Sequence, residues 1–359
     1  MEKVKVGIVG TGYTIGIALP HVMAYKDNPN VEMVALYDEV KGKAKKWAKD
    51  NKIEDVIICE SYDELLESVD AISICTPNNT HAELSLKALE NGVHVLCEKP
   101  ISTDSVEAKK MVEAAEKYPE LVNMTGFCYR GIPAIKYMKS IIDEGKIGKI
   151  YACNHQLGGG RIAGKENVML EWRMRKETSG TGALADFGSH MLDLTDYLLS
   201  DTEGKISEVT SLINTCIKER NVIGGKGKAP VTNDDTAAFA VKLKEGAVST
   251  FLSSRVGLSA HNWEIIGEGG ILIYFGDDNK IKMLLKDKDE SFAFDKSPEI
   301  IDVPEEFKVK SRFHEQNDEF ISNVMSGQKS KRDFKRGLYI QELLDTLAES
   351  TETGNAIKL

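Results

Sequence analysis

The sequence has no apolar run long enough to cross a membrane and no excess of basic residues. Its formal net charge of −10 argues against a general nucleic-acid-binding protein, because neutralising phosphates requires a surplus of Lys and Arg. Residues Met1 to Lys5 lead directly into a predicted strand, and they lack the apolar core and cleavage site of a signal peptide. These absences predict a cytoplasmic protein that binds neither nucleic acid nor a membrane.

Cysteine and histidine patterns typical of metal sites are also missing. The six cysteines have no CxxC spacing and stand at positions 59, 75, 97, 128, 153 and 216. Several lie within apolar runs, so reduced, buried thiols are the expected state. Because there is also no HExxH motif and no clustered His and Cys set, we predict no metal cofactor.

The chain length and the order of apolar segments predict two domains. A chain of 359 residues is too long for one compact core. Strand-like and helix-like segments alternate over residues 1–125, which predicts an α/β domain with a doubly wound parallel sheet. Residues 126–359 contain many short strand-like runs and few helices, which predicts an α+β domain with a large, mainly antiparallel open sheet. We expect that sheet to be covered by self-association, giving a homo-oligomer (dimer or tetramer).

Smaller features complete this predicted organisation. Ser61-Tyr62-Asp63-Glu64 and Thr80-His81-Ala82-Glu83 both fit the capping-box pattern, so each predicts the start of a helix. The glycine- and lysine-rich insert at 224–228 predicts a flexible loop. The C-terminal helix either stays with the second domain or packs back on the first.

A glycine-rich turn follows the first predicted strand. Gly10-Thr11-Gly12-Tyr13-Thr14-Ile15-Gly16 precedes a helix, whose N-terminus can bind a pyrophosphate. The spacing is one residue longer than the usual fingerprint, so a simple tight turn is the alternative. The second strand ends in Asp38, an acid placed to bind ribose hydroxyls. Since Asp38 and Glu39 would repel a 2′-phosphate, we predict NAD, while Lys41 and Lys43 leave NADP open.

Lys99 stands at the carboxyl end of a short apolar strand, where Pro100 ends the pairing. Ligands of open α/β sheets bind at this edge, so Lys99 is a candidate for chemistry. The segment after the fourth strand lies along the same edge. Its candidate cofactor-binding residues are Thr76, Pro77, Asn79 and His81. The alternatives are a helix-capping role for Asn79 and Thr80 and a surface position for His81.

A helix predicted over 183–199 carries polar residues beside its apolar face. Asp186 and His190 are four residues apart and can therefore share one site. Histidine is well suited to moving a proton near neutral pH. One alternative is an Asp N-cap with a core histidine. Another is a metal site formed by Asp186, His190 and Asp193, with His155 as an optional fourth ligand.

Four motifs resemble the signatures of the Gfo/Idh/MocA oxidoreductase family, which includes inositol dehydrogenases and glucose–fructose oxidoreductase. They are Gly10-Thr11-Gly12, Cys75-Thr76-Pro77-Asn78-Asn79-Thr80-His81, Glu98-Lys99-Pro100 and Gly182-Ala183-Leu184-Ala185-Asp186-Phe187-Gly188-Ser189-His190. The resemblance extends over the whole chain. It implies an N-terminal Rossmann domain and a C-terminal domain with a large open sheet. It also implies NAD(P)-dependent oxidation or reduction of a sugar or polyol.

The same resemblance implies residue roles. Lys99 would bind the nicotinamide ribose and a substrate hydroxyl, Asp186 would position the substrate, and His190 would be the acid or base. It also implies a cis bond between Lys99 and Pro100. Further residues near the cofactor are Glu98, Trp172 and Arg173, and candidates for substrate contact are Tyr129, Arg130 and His155.

Together these residues predict a dehydrogenase. A C–OH carbon would pass a hydride to NAD while His190 takes the hydroxyl proton and Lys99 stabilises the developing alkoxide. Two alternatives stay open. One is an NAD-dependent glycosidase on the same scaffold. The other is a non-catalytic NAD(P)-binding sensor, which would not need Lys99, Asp186 and His190 together.

Overall fold

A computed structural model of the protein describes residues 3–12, 16–160, 168–257, 259–286 and 296–359. The chain forms two compact units. The first comprises Met1–Cys128 and Lys310–Gln341, and the second comprises Tyr129–Val309 and Glu342–Leu359. The sequence placed everything after residue 125 in one domain, whereas the segment Lys310–Gln341 belongs to the first unit.

The first unit alternates strands and helices through its N-terminal part. They are β1 (Val4–Val9), α1 (Ala18–Asp27), β2 (Val31–Tyr37), α2 (Lys43–Asp50), β3 (Val56–Ile58), α3 (Tyr62–Ser68), β4 (Ala71–Ile74), α4 (His81–Glu90), β5 (His94–Cys97), α5 (Ser105–Lys117) and β6 (Asn123–Thr125). All six strands pair in parallel, in the order β3-β2-β1-β4-β5-β6. This is the strand order of a Rossmann fold, so the predicted doubly wound sheet is confirmed.

The segment Lys310–Gln341 contributes to the core of the first unit. Alternate residues of β2 enter two apolar clusters, Leu36 one and Ala35 the other, because successive side chains of a strand face opposite ways. Phe320 of α9 (Arg312–Ser326) packs in the Leu36 cluster, and Phe334, which begins α10 (Phe334–Thr353), packs in the Ala35 cluster. This apolar contribution explains why the segment belongs to the first unit.

The second unit is built on one large sheet. Its elements are α6 (Pro133–Asp143), β7 (Ile150–Gly158), α7 (Lys176–Ser179), α8 (Ser189–Glu203), β8 (Ile206–Asn214), β9 (Glu219–Asn221), β10 (Lys228–Pro230), β11 (Thr236–Leu243), β12 (Val248–Ser254), β13 (Ala260–Gly267), β14 (Gly270–Tyr274), β15 (Lys280–Leu285), β16 (Glu299–Asp302) and β17 (Ile357–Lys358). Nine strands pair in the order β16-β15-β14-β13-β7-β12-β11-β8-β17. Only β7 and β12 run parallel among these described strands, which confirms a mainly antiparallel sheet.

The strands β8 and β9 do not form one continuous strand. β8 ends at Asn214, and the carboxylate of Asp235 then accepts hydrogen bonds from the amides of Cys216 (2.7 Å) and Ile217 (2.8 Å). These bonds replace the ladder partners that a continuous strand would need. The chain resumes as β9, which pairs with β10 in a separate hairpin, and the predicted loop at 224–228 connects the two.

Both helices begin where the two capping boxes predicted, but only one of the two caps forms. The Ser61 hydroxyl caps α3 as predicted, accepting from the Glu64 amide at 3.1 Å. Thr80 instead hydrogen-bonds with the Thr76 hydroxyl at 2.7 Å and with the Pro77 carbonyl at 2.8 Å. A turn of 3₁₀-helix precedes α4 and gives Thr80 helical backbone angles, whereas an N-cap residue needs an extended backbone.

None of the described helices is long and apolar enough to span a membrane.

Candidate active site

The glycine turn after β1 has the geometry of a dinucleotide loop. Gly10 and Gly12 have φ angles of +87° and +78°, which favour glycine. A Cβ atom on Gly10 would lie 2.7 Å from the Thr76 methyl, and one on Gly16 would lie 2.9 Å from the Thr11 carbonyl oxygen. A side chain at Gly10 or Gly16 would therefore meet neighbouring atoms, whereas glycine at these positions allows the close backbone approach that a pyrophosphate requires. The predicted cofactor residues Tyr13, Thr14 and Ile15 lie outside the described residues.

Asp38 connects the end of β2 to this turn. Its Oδ2 accepts hydrogen bonds from the Thr11 amide (2.9 Å) and hydroxyl (2.6 Å), and the Lys43 ammonium lies 3.0 Å away. Burial raises the pKa of Asp38, but the hydrogen bonds from Thr11 and Lys43 outweigh that effect, and the net pKa lies below its usual value. An ionised carboxylate at this position fits the ribose hydroxyls of NAD.

His81 is buried, so its surface alternative is wrong. Its Nδ1 lies 3.0 Å from the Pro100 carbonyl oxygen and its Nε2 lies 3.1 Å from that of Thr76. Burial lowers the pKa of His81, although both carbonyl contacts oppose that shift. His81 therefore joins the segment after β4 to the segment after β5. Thr76 and Pro77 are half-buried there, and Asn79 is exposed.

Lys99 follows a buried acid at the end of β5. The bond between Lys99 and Pro100 is cis, as the family resemblance implied. The Glu98 carboxylate is buried, with Oε1 2.9 Å from Nε2 of His21 and Oε2 3.3 Å from the Lys99 amide. Glu98 thus fixes the backbone that carries the half-buried Lys99. Sequence analysis missed His21, because a single histidine in a helix gives no local signal of a distant partner.

The second unit places Asp186 and His190 at the start of the predicted helix. Asp186 lies on a turn of π-helix over Leu184–Gly188, and His190 lies on the first turn of α8. Turns of π-helix are rare in proteins, but those that occur are often found at functional sites. Asp186 Oδ2 accepts from Nε of Arg255 at 3.2 Å. The buried ring of His190 stacks on Tyr129, with 4.0 Å between centroids and 7° between planes.

Arg130 forms a buried ion pair with Asp193. Its Nε and Nη2 donate to the two carboxylate oxygens at 2.8 and 2.6 Å, and its guanidinium lies 5.0 Å from the centre of the Tyr197 ring. This two-pronged geometry anchors α8 to the chain before α6. Within the described ranges, no group of three or more His, Cys, Asp or Glu side chains is arranged to hold a metal ion. Substrate contact by Arg130 stays a prediction.

Trp172 and Arg173 stack together, with the guanidinium 4.4 Å from the indole ring centre. Two residues that sequence analysis missed hold this segment through the Arg173 carbonyl. Nη1 of Arg255 donates to it at 2.7 Å, and Nδ2 of Asn233 donates at 2.9 Å. Arg255 therefore binds both the Asp186 carboxylate and the backbone of the Trp172–Arg173 pair.

Asp234 is a third missed residue, and it organises the start of the π-turn. Its carboxylate accepts from the amides of Gly182 (2.5 Å) and Leu184 (2.8 Å), and its carbonyl accepts from Ala183 (3.0 Å). Burial raises the pKa of Asp234 above its usual value against these hydrogen bonds. The run Asn233-Asp234-Asp235 was the available signal, although locally it predicts only a turn.

His155 lies in the core of the second unit. It is 1% exposed on β7, stacks on Phe251 at 4.9 Å and meets the edge of Trp263 at 5.2 Å. Neither ring nitrogen has a hydrogen-bond partner in the described part of the chain. Burial lowers the pKa of His155 well below its usual value. The structure therefore shows His155 as a neutral packing residue, and it does not gather His155 with Asp186 and His190.

His155→Leu is expected to remove an acid-sensitive step in stability. Below the usual histidine pKa of 6.5, the unfolded chain binds a proton that folded His155 does not, so stability falls as the pH falls. A histidine that stays neutral in the folded chain adds a slope of at most about 1.4 kcal/mol per pH unit in this range. Urea unfolding at pH 7 and 5 measures the difference. Phe251→Leu, which alters the same contact without removing a titratable group, should retain the wild-type slope; an unchanged slope in His155→Leu contradicts the expectation.

Family models match most of the chain. Residues 4–125 match an oxidoreductase family with an NAD-binding Rossmann fold, and residues 135–273 match the GFO/IDH/MocA C-terminal domain. The chain belongs to the Gfo/Idh/MocA oxidoreductase family. This member is therefore an enzyme that uses a nicotinamide cofactor, as predicted, and the glycine turn and Asp38 described above fit that group.

Two curated relatives and a solved structure are named as sugar dehydrogenases. Levoglucosan dehydrogenase of Pseudarthrobacter phenanthrenivorans is 29% identical over 303 residues, covering 76% of this chain and 74% of that protein. Glucose-6-phosphate 3-dehydrogenase of Bacillus subtilis is 30% identical over 252 residues, covering 70% and 67%. A levoglucosan dehydrogenase structure with NADH and levoglucosan has a TM-score of 0.88 at 24% identity, covering 100% of this chain and 99% of that one. The last similarity shows that the fold is shared.

Proposed function

We propose that this Gfo/Idh/MocA member oxidises a CH–OH group of a sugar, polyol or related hydroxy compound, or reduces the matching carbonyl, with NAD as its cofactor. The arrangement at the start of α8 supports this most directly: Asp186 is held by Arg255, and His190 is stacked on Tyr129. A bound nicotinamide supplies the hydride chemistry, and the protein supplies placement and charge.

Each of the three proposed catalytic residues has one role. His190 takes the hydroxyl proton during oxidation and returns it during reduction, because hydride leaves an alcohol readily only as the proton leaves. Lys99 stabilises the developing alkoxide with its ammonium group. Asp186 accepts a hydrogen bond from a substrate hydroxyl, and Arg255 fixes the direction of its carboxylate.

A substrate panel tests the proposed function. Purified protein is incubated with NAD and levoglucosan, glucose, glucose 6-phosphate or myo-inositol, and NADH absorbance is followed; NADH oxidation by keto sugars tests the reverse direction. We expect at least one compound to give steady NADH production. Release of the aglycone from nitrophenyl glycosides without net NADH would instead support the glycosidase alternative. No turnover with any compound in either direction contradicts the proposal.

The NAD preference is tested at Asp38. Asp38→Ser should weaken NAD binding by about 1.5–3 kcal/mol, roughly 10- to 150-fold, because a charge-assisted hydrogen bond to the ribose is lost. NADP binding should weaken less, since repulsion of its 2′-phosphate is lost at the same time. Calorimetry with both cofactors measures the two changes. The exposed Glu32 at the other end of β2, changed to Gln, is the matched control and should bind both cofactors like the wild type; equal losses for NAD and NADP in Asp38→Ser would contradict the preference.

We also propose that the large sheet mediates self-association. Leu212 of β8 and Leu252 of β12 are 75% and 40% exposed, and both pair with Ala238 of β11, so the three side chains form one row on the outer face. Exposed apolar rows of this kind are typical of contact surfaces. Light scattering is expected to give a mass of two or four chains. A single-chain mass at micromolar concentration contradicts the proposal.

A further inference from the structure

Tyr129 is close to His190, yet the proposed reaction gives it no role. The two rings are nearly parallel, with 4.0 Å between centroids and 7° between planes. The face of an aromatic ring is the negative side of its quadrupole. The Tyr129 face therefore attracts the protonated, positively charged form of His190 more strongly than its neutral form.

A second histidine packs against the same tyrosine. The centroid of His261 lies 5.2 Å from that of Tyr129, at a tilt of 37°. His261 is itself enclosed by edge contacts with Trp263 (5.5 Å) and Tyr274 (4.6 Å). Tyr129 consequently has a fixed aromatic neighbour in addition to His190.

A short hydrogen-bond chain fixes the His261 ring. The Tyr274 hydroxyl lies 2.7 Å from Asp278 Oδ1 and 3.2 Å from His261 Nδ1. The carboxylate can only accept, so the single hydroxyl proton is donated to Asp278. The Tyr274 oxygen must then accept from His261, which places a proton on Nδ1. These two hydrogen bonds thus select one tautomer of His261 and one orientation of its ring.

We propose that Tyr129 is a positioning residue for His190, whose ring face favours the imidazolium that forms when His190 accepts the substrate proton. His261, held by Tyr274 and Asp278, keeps the Tyr129 ring in this stacked geometry. The inference rests on the proposed acid–base role of His190 and deepens it. Tyr129 thereby adjusts how readily His190 takes a proton.

The charged groups around this stack are largely paired with one another. On the helix of His190, Asp193 is paired with Arg130, and on the turn before it Asp186 is paired with Arg255. On the side of His261, the Asp278 carboxylate accepts a hydrogen bond from the Tyr274 hydroxyl. Both ion pairs stay in place when only Tyr129 is changed, so a variant at Tyr129 measures the contribution of its ring face.

Histidine NMR tests the stacking without a substrate. The chain has seven histidines, so ring signals can be resolved, and His190→Gln assigns the His190 signal by its loss. Tyr129→Leu is expected to lower the pKa of His190 by about 0.5–1.5 units, as a cation–π contact is lost. Tyr129→Phe keeps the ring face and should retain nearly the wild-type value. Tyr137→Leu, which removes a tyrosine packed on Phe307 at 5.4 Å, is the matched control.

Equal His190 pKa values in wild type and Tyr129→Leu would overturn the inference. Should Tyr129→Leu fail to fold, a series of fluorinated phenylalanines at position 129 weakens the ring face at nearly constant shape. A stepwise fall in the His190 pKa supports the proposal, and a constant value overturns it. The hydrogen bonds of Tyr274 with His261 and Asp278 are tested separately. Tyr274→Phe should reduce the population of the Nδ1-protonated tautomer of His261 in ¹⁵N spectra. An unchanged population overturns the proposed support of the His261 ring.

The pH dependence of turnover separates this inference from the proposed function. With a substrate from the panel, the acid limb of kcat/KM in Tyr129→Leu should move to lower pH by the shift that NMR measures, because the base must be unprotonated. An NMR shift without a matching kinetic shift would contradict the role of His190 as the base while leaving the stacking effect established. A kinetic shift without an NMR shift would overturn the stacking effect.

Discussion

His190→Asn is expected to lower kcat about 100- to 10,000-fold, the usual contribution of a positioned acid or base. The amide cannot take the hydroxyl proton, so hydride would have to leave a neutral alcohol. Cofactor affinity should change little, because the glycine turn and Asp38 are the residues predicted to bind the dinucleotide. The two effects are measured by steady-state turnover on the active panel compound and by fluorescence titration with NADH.

A matched control is another histidine replaced in the same way. His314 lies in α9, hydrogen-bonded to Asp27 at 2.8 Å, and it is not among the proposed site residues. His314→Asn should keep wild-type turnover. If His190→Asn also keeps it, the proton is taken by another group and the assignment of His190 is wrong. If instead NADH binding is lost along with turnover, His190 acts on the cofactor.

The fold of the first unit could be predicted because its signals are local. Buried parallel strands are short apolar runs, and the helices between them have their own period and caps, so alternation is visible in the sequence. Contributions from distant segments were not visible. Phe320 and Phe334 complete this core from the far end of the chain, and nothing in their local pattern indicates which core they enter.

In the second unit, too, features with a local sequence pattern could be predicted and the others could not. Its mainly antiparallel sheet could be predicted from the many strand-like runs, whereas β9, β10 and β16, with three or four residues each, are too short to display an alternating pattern. The π-turn before α8 was also missed, since its residues fit a regular helix equally well. The partner of its first amide, that of Leu184, is Asp234 from elsewhere in the chain.

Motif residues of the candidate site were found, but their supports were not. Lys99, Asp186 and His190 stand in contiguous motifs. Arg255 meets Asp186 from 69 residues away, and Asp234 meets Leu184 from 50 residues away. A single sequence has no local signal for pairs at such separations. These supporting residues nevertheless decide where the motif side chains point.

We expect the largest loss of stability from Gly182→Ala, which adds a single methyl group. A Cβ atom there would lie 1.6 Å from the carbonyl oxygen of Asp234 and 2.7 Å from its carbonyl carbon. Neither atom can move freely, because Asp234 also binds the amides of Gly182, Ala183 and Leu184. Gly182→Ala must therefore separate the two segments and leave buried amides without acceptors, at about 1–3 kcal/mol for each lost partner.

We expect Gly182→Ala to lower the free energy of unfolding by at least about 4 kcal/mol, which places it among the most damaging single substitutions. Gly188→Ala is the matched control six positions along, where the nearest atom to a new Cβ would be a Leu184 methyl at 3.3 Å. It should cost less than about 2 kcal/mol, because the higher helix propensity of Ala offsets part of the overpacking. Urea unfolding followed by circular dichroism measures both. If the two variants were equally stable, the close contact between Gly182 and Asp234 would not exist in solution. Asp234 would then not be the residue that sets the start of the helix carrying Asp186 and His190.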